Sequence, residues 1–160
     1  MTYKLKEENL HYYYSYENFK KDTNSLVKEV SNFNPEVIVG IARGGLCLAH
    51  CMAEGLDIRD VQTIRTELYD KTCKREEITL FGECNFSDTT RVLVVDDIAD
   101  SGDTLKAVMQ NLKSKNPDIE FKSATLYYKT TSCYKPDFWI NEAKEWIDFF
   151  WEVDYKQESK

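Results

Sequence analysis

The sequence predicts an α/β fold built on a mainly parallel, twisted sheet flanked by helices. Three observations carry that expectation. Short apolar runs at 37–42, 92–96 and 121–128 have the composition of strands buried on both faces. Helical patterns separate them, an alternation that produces parallel strands joined by crossovers. Polar segments follow the runs at 43–45, 96–104 and 129, where the carboxyl edge of such a sheet gathers ligands.

In chain order, residues 15–31 read as an amphipathic helix with Phe19, Leu26, Val27 and Val30 along one side. Val37-Ile38-Val39-Gly40-Ile41-Ala42 is a buried strand, broken by Arg43-Gly44-Gly45. A helix follows to about Gly55, whose position suits a C-cap. Residues 61–67 suit a second strand, and the polar stretch 70–90 reads as a loop or a mobile hairpin. Strand 92–96, helix 104–115, the Asn116-Pro117 stop and strand 121–128 complete the pattern. The tail from 136 to 151 is aromatic and irregular.

Bulk properties narrow the function. A chain of 160 residues fits one domain, 1–160, with a sizeable core, and 42% hydrophobic content argues for a globular protein. The net charge of −7 and the lack of a basic stripe argue against nucleic acid as partner. No apolar run approaches the roughly 18 residues of a membrane span, and the first residues lack a secretion signal, so a cytoplasmic protein is expected. Five cysteines without a C-x-x-C pair suit reduced thiols. Cys47, His50 and Cys51 share a helical face, but their apolar setting favours buried thiols over a metal site.

The most informative stretch is Asp96-Asp97-Ile98-Ala99-Asp100-Ser101-Gly102-Asp103-Thr104. Its plain reading is a strand, a turn and a capped helix, with Ser101 or Asp103 as N-cap. A calcium loop is excluded by the missing ligand alternation and terminal Glu. A cap does not need two further acids at the end of an apolar strand. Close like charges raise each other's pKa unless a cation or hydroxyl donors relieve them. Backbone donors at a helix N-terminus favour an anion beside those acids. A phosphorylated ribose with a bound cation meets both demands.

This stretch resembles the 5-phosphoribosyl-1-pyrophosphate (PRPP) signature of the type I phosphoribosyltransferases. The likeness runs over roughly 35–152 and is greatest to the bacterial xanthine-guanine enzymes. It implies the type I fold, with a small hood formed by the C-terminal segment, about 136–152. It also implies that Asp96 and Asp97 reach the ribose hydroxyls, Asp97 assisting Mg²⁺, and that residues 100–104 wrap the 5′-phosphate. Asp100 is then the candidate base near the purine, and Asp103, where some members have glycine, is expected to serve the helix N-terminus. Arg43-Gly44-Gly45 resembles the pyrophosphate loop, often with a cis peptide. Tyr69, Asp70, Arg75 and Glu76 match a mobile lid whose arginine touches the diphosphate. Lys129, otherwise a solvent-facing strand terminator, would donate to a 6-oxo group and disfavour adenine.

Glu145 to Glu152 reads from its residues alone as an amphipathic helix or a dimer contact. By resemblance it is the purine hood, with Trp146 and Ile147 against the base; Phe150 replaces the usual proline before Trp151. The expected reaction joins PRPP to guanine, xanthine or hypoxanthine, giving a nucleoside 5′-monophosphate and pyrophosphate in purine salvage. The alternatives are another acceptor base, or a non-catalytic PRPP sensor on the same fold. Exposed aromatics point to a homodimer or homotetramer. Peripheral membrane association enters only through the family resemblance, and nothing in the composition requires it.

Overall fold

The computed structural model describes residues 10–71 and 75–158. Its centre is a sheet of β2 (Val37–Ala42), β3 (Asp60–Lys71), β4 (Arg75–Phe81), β5 (Arg91–Val95), β6 (Ile98–Ala99), β7 (Glu120–Tyr128) and β8 (Phe138–Glu142). The order runs β4-β3-β2-β5-β7, with β6 and β8 also paired to β7. Every pairing is parallel except that of β3 with β4. The expected α/β class is therefore present, with an antiparallel arm at one edge.

Strand periodicity divides the core in two. Ile38, Leu93, Val95 and Leu126 pack on one face with Leu26 and Val30 of α1 (Tyr16–Val30) and Leu48 and Met52 of α2 (Leu46–Leu56). Val37, Val39, Val92 and Val94 face the other way, onto Leu105, Val108, Met109 and Leu112 of α3 (Asp103–Lys115). Both faces of β5 are thus covered, which is why its sequence is continuously apolar rather than alternating. Ser15 caps α1 by accepting the Asn18 N–H at 3.2 Å. No helix among the described residues is long and apolar enough to cross a membrane.

Four elements depart from expectation. Gly55 lies inside α2 and does not cap it: Asp57 takes the left-handed C-cap (φ 55°). A β-carbon on Gly55 would meet Val27 at 2.9 Å, so this glycine allows α1 and α2 to approach closely. The strand expected at 61–67 extends to Lys71 and pairs with β4, so of the two readings for 70–90 the hairpin is the one that Arg75–Phe81 forms. The tail is regular too, forming β8, β9 (Trp146–Phe149) and the short α4 (Phe150–Val153). The fourth departure is β1 (His11–Tyr14), unforeseen, which pairs in parallel with β9 as a separate two-stranded ribbon. The hood therefore comes from both ends of the chain, not from the C-terminal segment alone.

The ribbon is fastened to the body at Asp22 of α1. The Tyr14 hydroxyl donates to Asp22 Oδ2 at 2.7 Å, and Asn141 Nδ2 of β8 donates to the same oxygen at 2.8 Å. Tyr14 is buried and makes edge-to-face contacts with Tyr127, Phe149 and Trp151. Tyr14→Phe keeps that packing and removes a hydrogen bond to a charged partner. It should lower stability by about 1.5–3 kcal/mol in urea unfolding. An unchanged midpoint would show that the Asp22 junction does not secure the ribbon.

Candidate active site

Asp96 and Asp97 sit where β5 gives way to β6 along the edge of β7. The Asp96 N–H still bonds the Ala124 carbonyl at 3.2 Å, but the Asp97 carbonyl then accepts from both Leu126 and Tyr127, at 3.0 and 3.1 Å. Two residues of β7 oppose one, a bulge-like step that takes both acids out of the regular ladder at the carboxyl edge. Each donor helps hold the pair: the Asp97 N–H donates to Asp96 Oδ1 at 2.9 Å, and the Ile98 N–H to Asp97 Oδ1 at 2.8 Å.

The two carboxyls are only 9% and 6% exposed. Among the described residues no lysine or arginine forms an ion pair with either. Burial, and then the charge of Asp97, push Asp96 well above the ordinary carboxylate range. Burial also raises Asp97; its hydrogen bond with Asp96 opposes the rise and the charge of Glu152 adds to it. Such a pair is built to receive a cation or hydroxyl donors.

The turn after β2 closes against these acids. The Ala42–Arg43 peptide is cis. A β-carbon on Gly44 would strike the Asp97 carboxylate, and one on Gly45 would stand 2.9 Å from the Ile41 carbonyl and 3.0 Å from Asp96 Cα. Only glycine fits this close approach. Arg43 is exposed beside it, and its charge opposes the rise that partial burial imposes on Glu152.

Residues 101–104 form a second cradle, at the start of α3. Gly102 occupies the N-cap with φ +84° and makes no side-chain cap, which corrects the expected capping by Ser101 or Asp103. A β-carbon there would collide with Ser132 and lie 2.7 Å from the Tyr134 nitrogen. The Cys133 N–H holds the loop by donating to the Ser101 carbonyl at 2.8 Å. Asp103 stands in the first helical turn, where its charge favours the dipole, and accepts the Cys133 thiol at 3.3 Å. The Asp103 N–H is taken by Ser101 Oγ at 3.2 Å, and the Thr104 and Leu105 N–H groups with the Ser101 and Thr104 hydroxyls remain a donor set for an anion.

Beyond the acids opens a cleft of about 1110 Å³. One wall comes from the sheet edge: Asp97, Ile98, Asp100 and Lys129, the last two paired at 3.3 Å. The facing wall is the ribbon, with Trp146, Ile147 and Phe149 of β9, Glu152 of α4, and Leu10 and His11 from the N-terminal side. Trp146 is 61% exposed and free to meet a ligand, whereas Trp151 stacks on Phe149 at 4.7 Å. The structure thus places Arg43, Gly44, Asp96, Asp97, Asp100, Ser101, Gly102, Asp103, Thr104 and Lys129 at the carboxyl edge of the main sheet, and Trp146 and Ile147 on the ribbon across the cleft. Arg75 opens β4 opposite Lys71, and its side chain lies outside what is described, as do residues 72–74.

Sequence reasoning missed Leu10 and His11. The β-prone His11-Tyr12-Tyr13-Tyr14 was a usable signal for a strand, though not for its partner. The Cys47, His50 and Cys51 face holds no metal-binding group among the described residues, and burial raises both thiols.

A family model described as a phosphoribosyl transferase domain matches residues 12–158. The chain belongs to the phosphoribosyltransferase family. It is 30% identical over 156 residues to the xanthine-guanine phosphoribosyltransferase of Cereibacter sphaeroides, covering 89% of this chain and 87% of that one. The xanthine-guanine-hypoxanthine phosphoribosyltransferase of Helicobacter pylori superposes with a TM-score of 0.85 at 42% identity, covering 91% of this chain and 96% of that one. A purine phosphoribosyltransferase from Pyrococcus horikoshii superposes at 0.79 with 28% identity, covering 94% and 99%. The mostly parallel sheet flanked by helices in this phosphoribosyltransferase is the type I fold of these neighbours.

The buried acids carry a stability consequence. A carboxyl whose pKa is raised by folding stabilises the protein while both states hold the proton, and that contribution is lost as pH rises through the folded pKa. Asp96→Asn removes the charge yet keeps an oxygen for the Asp97 N–H. It should raise the melting temperature at about pH 7.5, by about 2–4 °C for each kcal/mol relieved, and lose the gain near pH 4. A variant that melts below the native protein at about pH 7.5 would contradict this account of the pair.

Proposed function

We propose that this phosphoribosyltransferase moves the 5-phosphoribosyl group of PRPP onto a 6-oxopurine, with guanine, xanthine and hypoxanthine as the candidate bases. The observation that carries this reading is the Asp100–Lys129 pair, 3.3 Å apart, facing Trp146 and Ile147 across one cleft. An acceptor beside an obligate donor matches N7–H and O6 of such a base. The pair is half-exposed, so its own attraction is worth about 0–1 kcal/mol and a ligand can displace it cheaply. Adenine would present an amino group to the Lys129 ammonium, which cannot accept a hydrogen bond.

In this reading the 101–104 cradle holds the 5′-phosphate, Asp96 and Asp97 take the ribose hydroxyls, and the 43–45 turn faces the diphosphate with Arg43. Arg75 would reach the same diphosphate from the hairpin. Trp146 covers the base and the Ile147 carbonyl receives a ring-edge donor, fixing N9 toward the anomeric carbon. The new N9–C1′ bond forms as the C1′–oxygen bond to diphosphate breaks, and Asp100 takes the N7 proton. The buried acid pair suits a divalent cation, which Asp97 would help to hold. Mg²⁺ bound there would supply positive charge to the departing diphosphate.

The four described free cysteines support a reducing, cytoplasmic setting. Exposed Tyr12, Tyr13, Tyr16 and Leu46 support a homodimer or homotetramer.

Pyrophosphate release across guanine, xanthine, hypoxanthine, adenine and uracil, with and without Mg²⁺, tests the reading. Release with the 6-oxopurines alone is expected; none with any base, despite PRPP binding, would indicate a sensor. Asp100→Asn should lower kcat by about 10²–10⁴-fold while leaving PRPP affinity near native. Native turnover in that variant would remove Asp100 from the reaction.

A further inference from the structure

We propose that His11, oriented by Asp148, reads the substituent at purine position 2 by accepting a hydrogen bond from the amino group of guanine. The inference deepens the proposed purine acceptor and rests on it. It begins from the ribbon's register. His11 lies directly opposite Trp146 in the parallel β1–β9 pair, so the two side chains share a face, as does Asp148 two residues on. The His11 and Trp146 rings are 6.3 Å apart at 48°, and both residues line the cleft.

The hydrogen bond to Asp148 decides what His11 offers. Nδ1 lies 2.9 Å from Asp148 Oδ2. A carboxylate only accepts, so Nδ1 carries a proton, and in the tautomer this selects Nε2 presents a lone pair. Among the described residues Nε2 has no partner. An exposed pair of this kind adds little to stability. Its effect is to fix one tautomer of a ring on the cleft wall.

The opposite wall sets which edge of the base would meet it. With O6 and N7 at Lys129 and Asp100, position 2 lies across the six-membered ring, toward the ribbon. Guanine carries an amino donor there, hypoxanthine carries hydrogen and xanthine an acceptor. Of the other polar side chains on the ribbon side, Lys144 can only donate, while Glu145 and Glu152 are acceptors that no hydrogen bond among the described residues orients.

The test compares binding of GMP and IMP by titration calorimetry, with KM for guanine and hypoxanthine alongside. His11→Phe keeps a ring against Trp146 and deletes both nitrogens. It should weaken GMP relative to IMP by about three- to tenfold, with the same shift in the ratio of KM values. Asp148→Ala, which releases the tautomer, should move the ratio in the same direction by less. Loosening of the ribbon alone would weaken both nucleotides equally, and that outcome in His11→Phe overturns the assignment. So does a ratio that moves with Glu145→Ala but not with His11→Phe. If the native protein releases no pyrophosphate with any base, the proposed function fails, while the GMP to IMP ratio still decides the role of His11.

Discussion

Two carboxyl groups buried side by side at the end of β5 are the constraint around which this molecule is arranged. Burial makes each charge unfavourable; the charge of Asp97 adds to the cost at Asp96, and that of Glu152 to the cost at Asp97. The fold nevertheless spends a bulge, two backbone donors and a glycine-only approach on keeping them there. Nothing in the core requires acids at this point. A ligand that brings hydroxyl groups and positive charge turns the same arrangement from a liability into a binding surface.

The remaining parts follow from where that pair stands. Because β2, β5 and β7 run parallel, their carboxyl ends open at one edge, and the turns at 43–45, 101–104 and 129 converge there without long loops. The sheet supplies one rigid wall. The second wall is the β1–β9 ribbon, held to the body through Tyr14, Asp22 and Asn141 rather than through the main sheet. A base inserted between them would be gripped by residues far apart in the chain, from His11 to Glu152. The hairpin of β3 and β4 stands at the far edge, its inner side near the start of α3, where Leu68, Ile78 and Asp103 line a small groove.

The sheet centre and the acid-bearing edge were legible in the sequence because burial on both faces leaves an unbroken apolar run, as in Val92 to Val95. The chemistry at 96–104 was legible because acids and glycine in that order have few structural uses. The hairpin was legible only as an alternative to a loop, because the backbone pairing of β3 with β4 leaves no mark on composition. The ribbon escaped for a different reason. His11 and Trp146 are 135 residues apart, and neither short strand is stable without the other. Gly55 misled because close packing against Val27 and helix capping both select glycine. Asp103 was placed in the right turn, but its contact with Cys133 depends on a loop thirty residues away.

Diffraction from crystals of the protein with PRPP and Mg²⁺ tests the central claim most directly. The account predicts the 5′-phosphate among residues 101–104, the ribose hydroxyls on Asp96 and Asp97, and the diphosphate against Arg43 and Gly44. A sugar phosphate bound in another part of the molecule, or with its hydroxyls turned away from both acids, would contradict it.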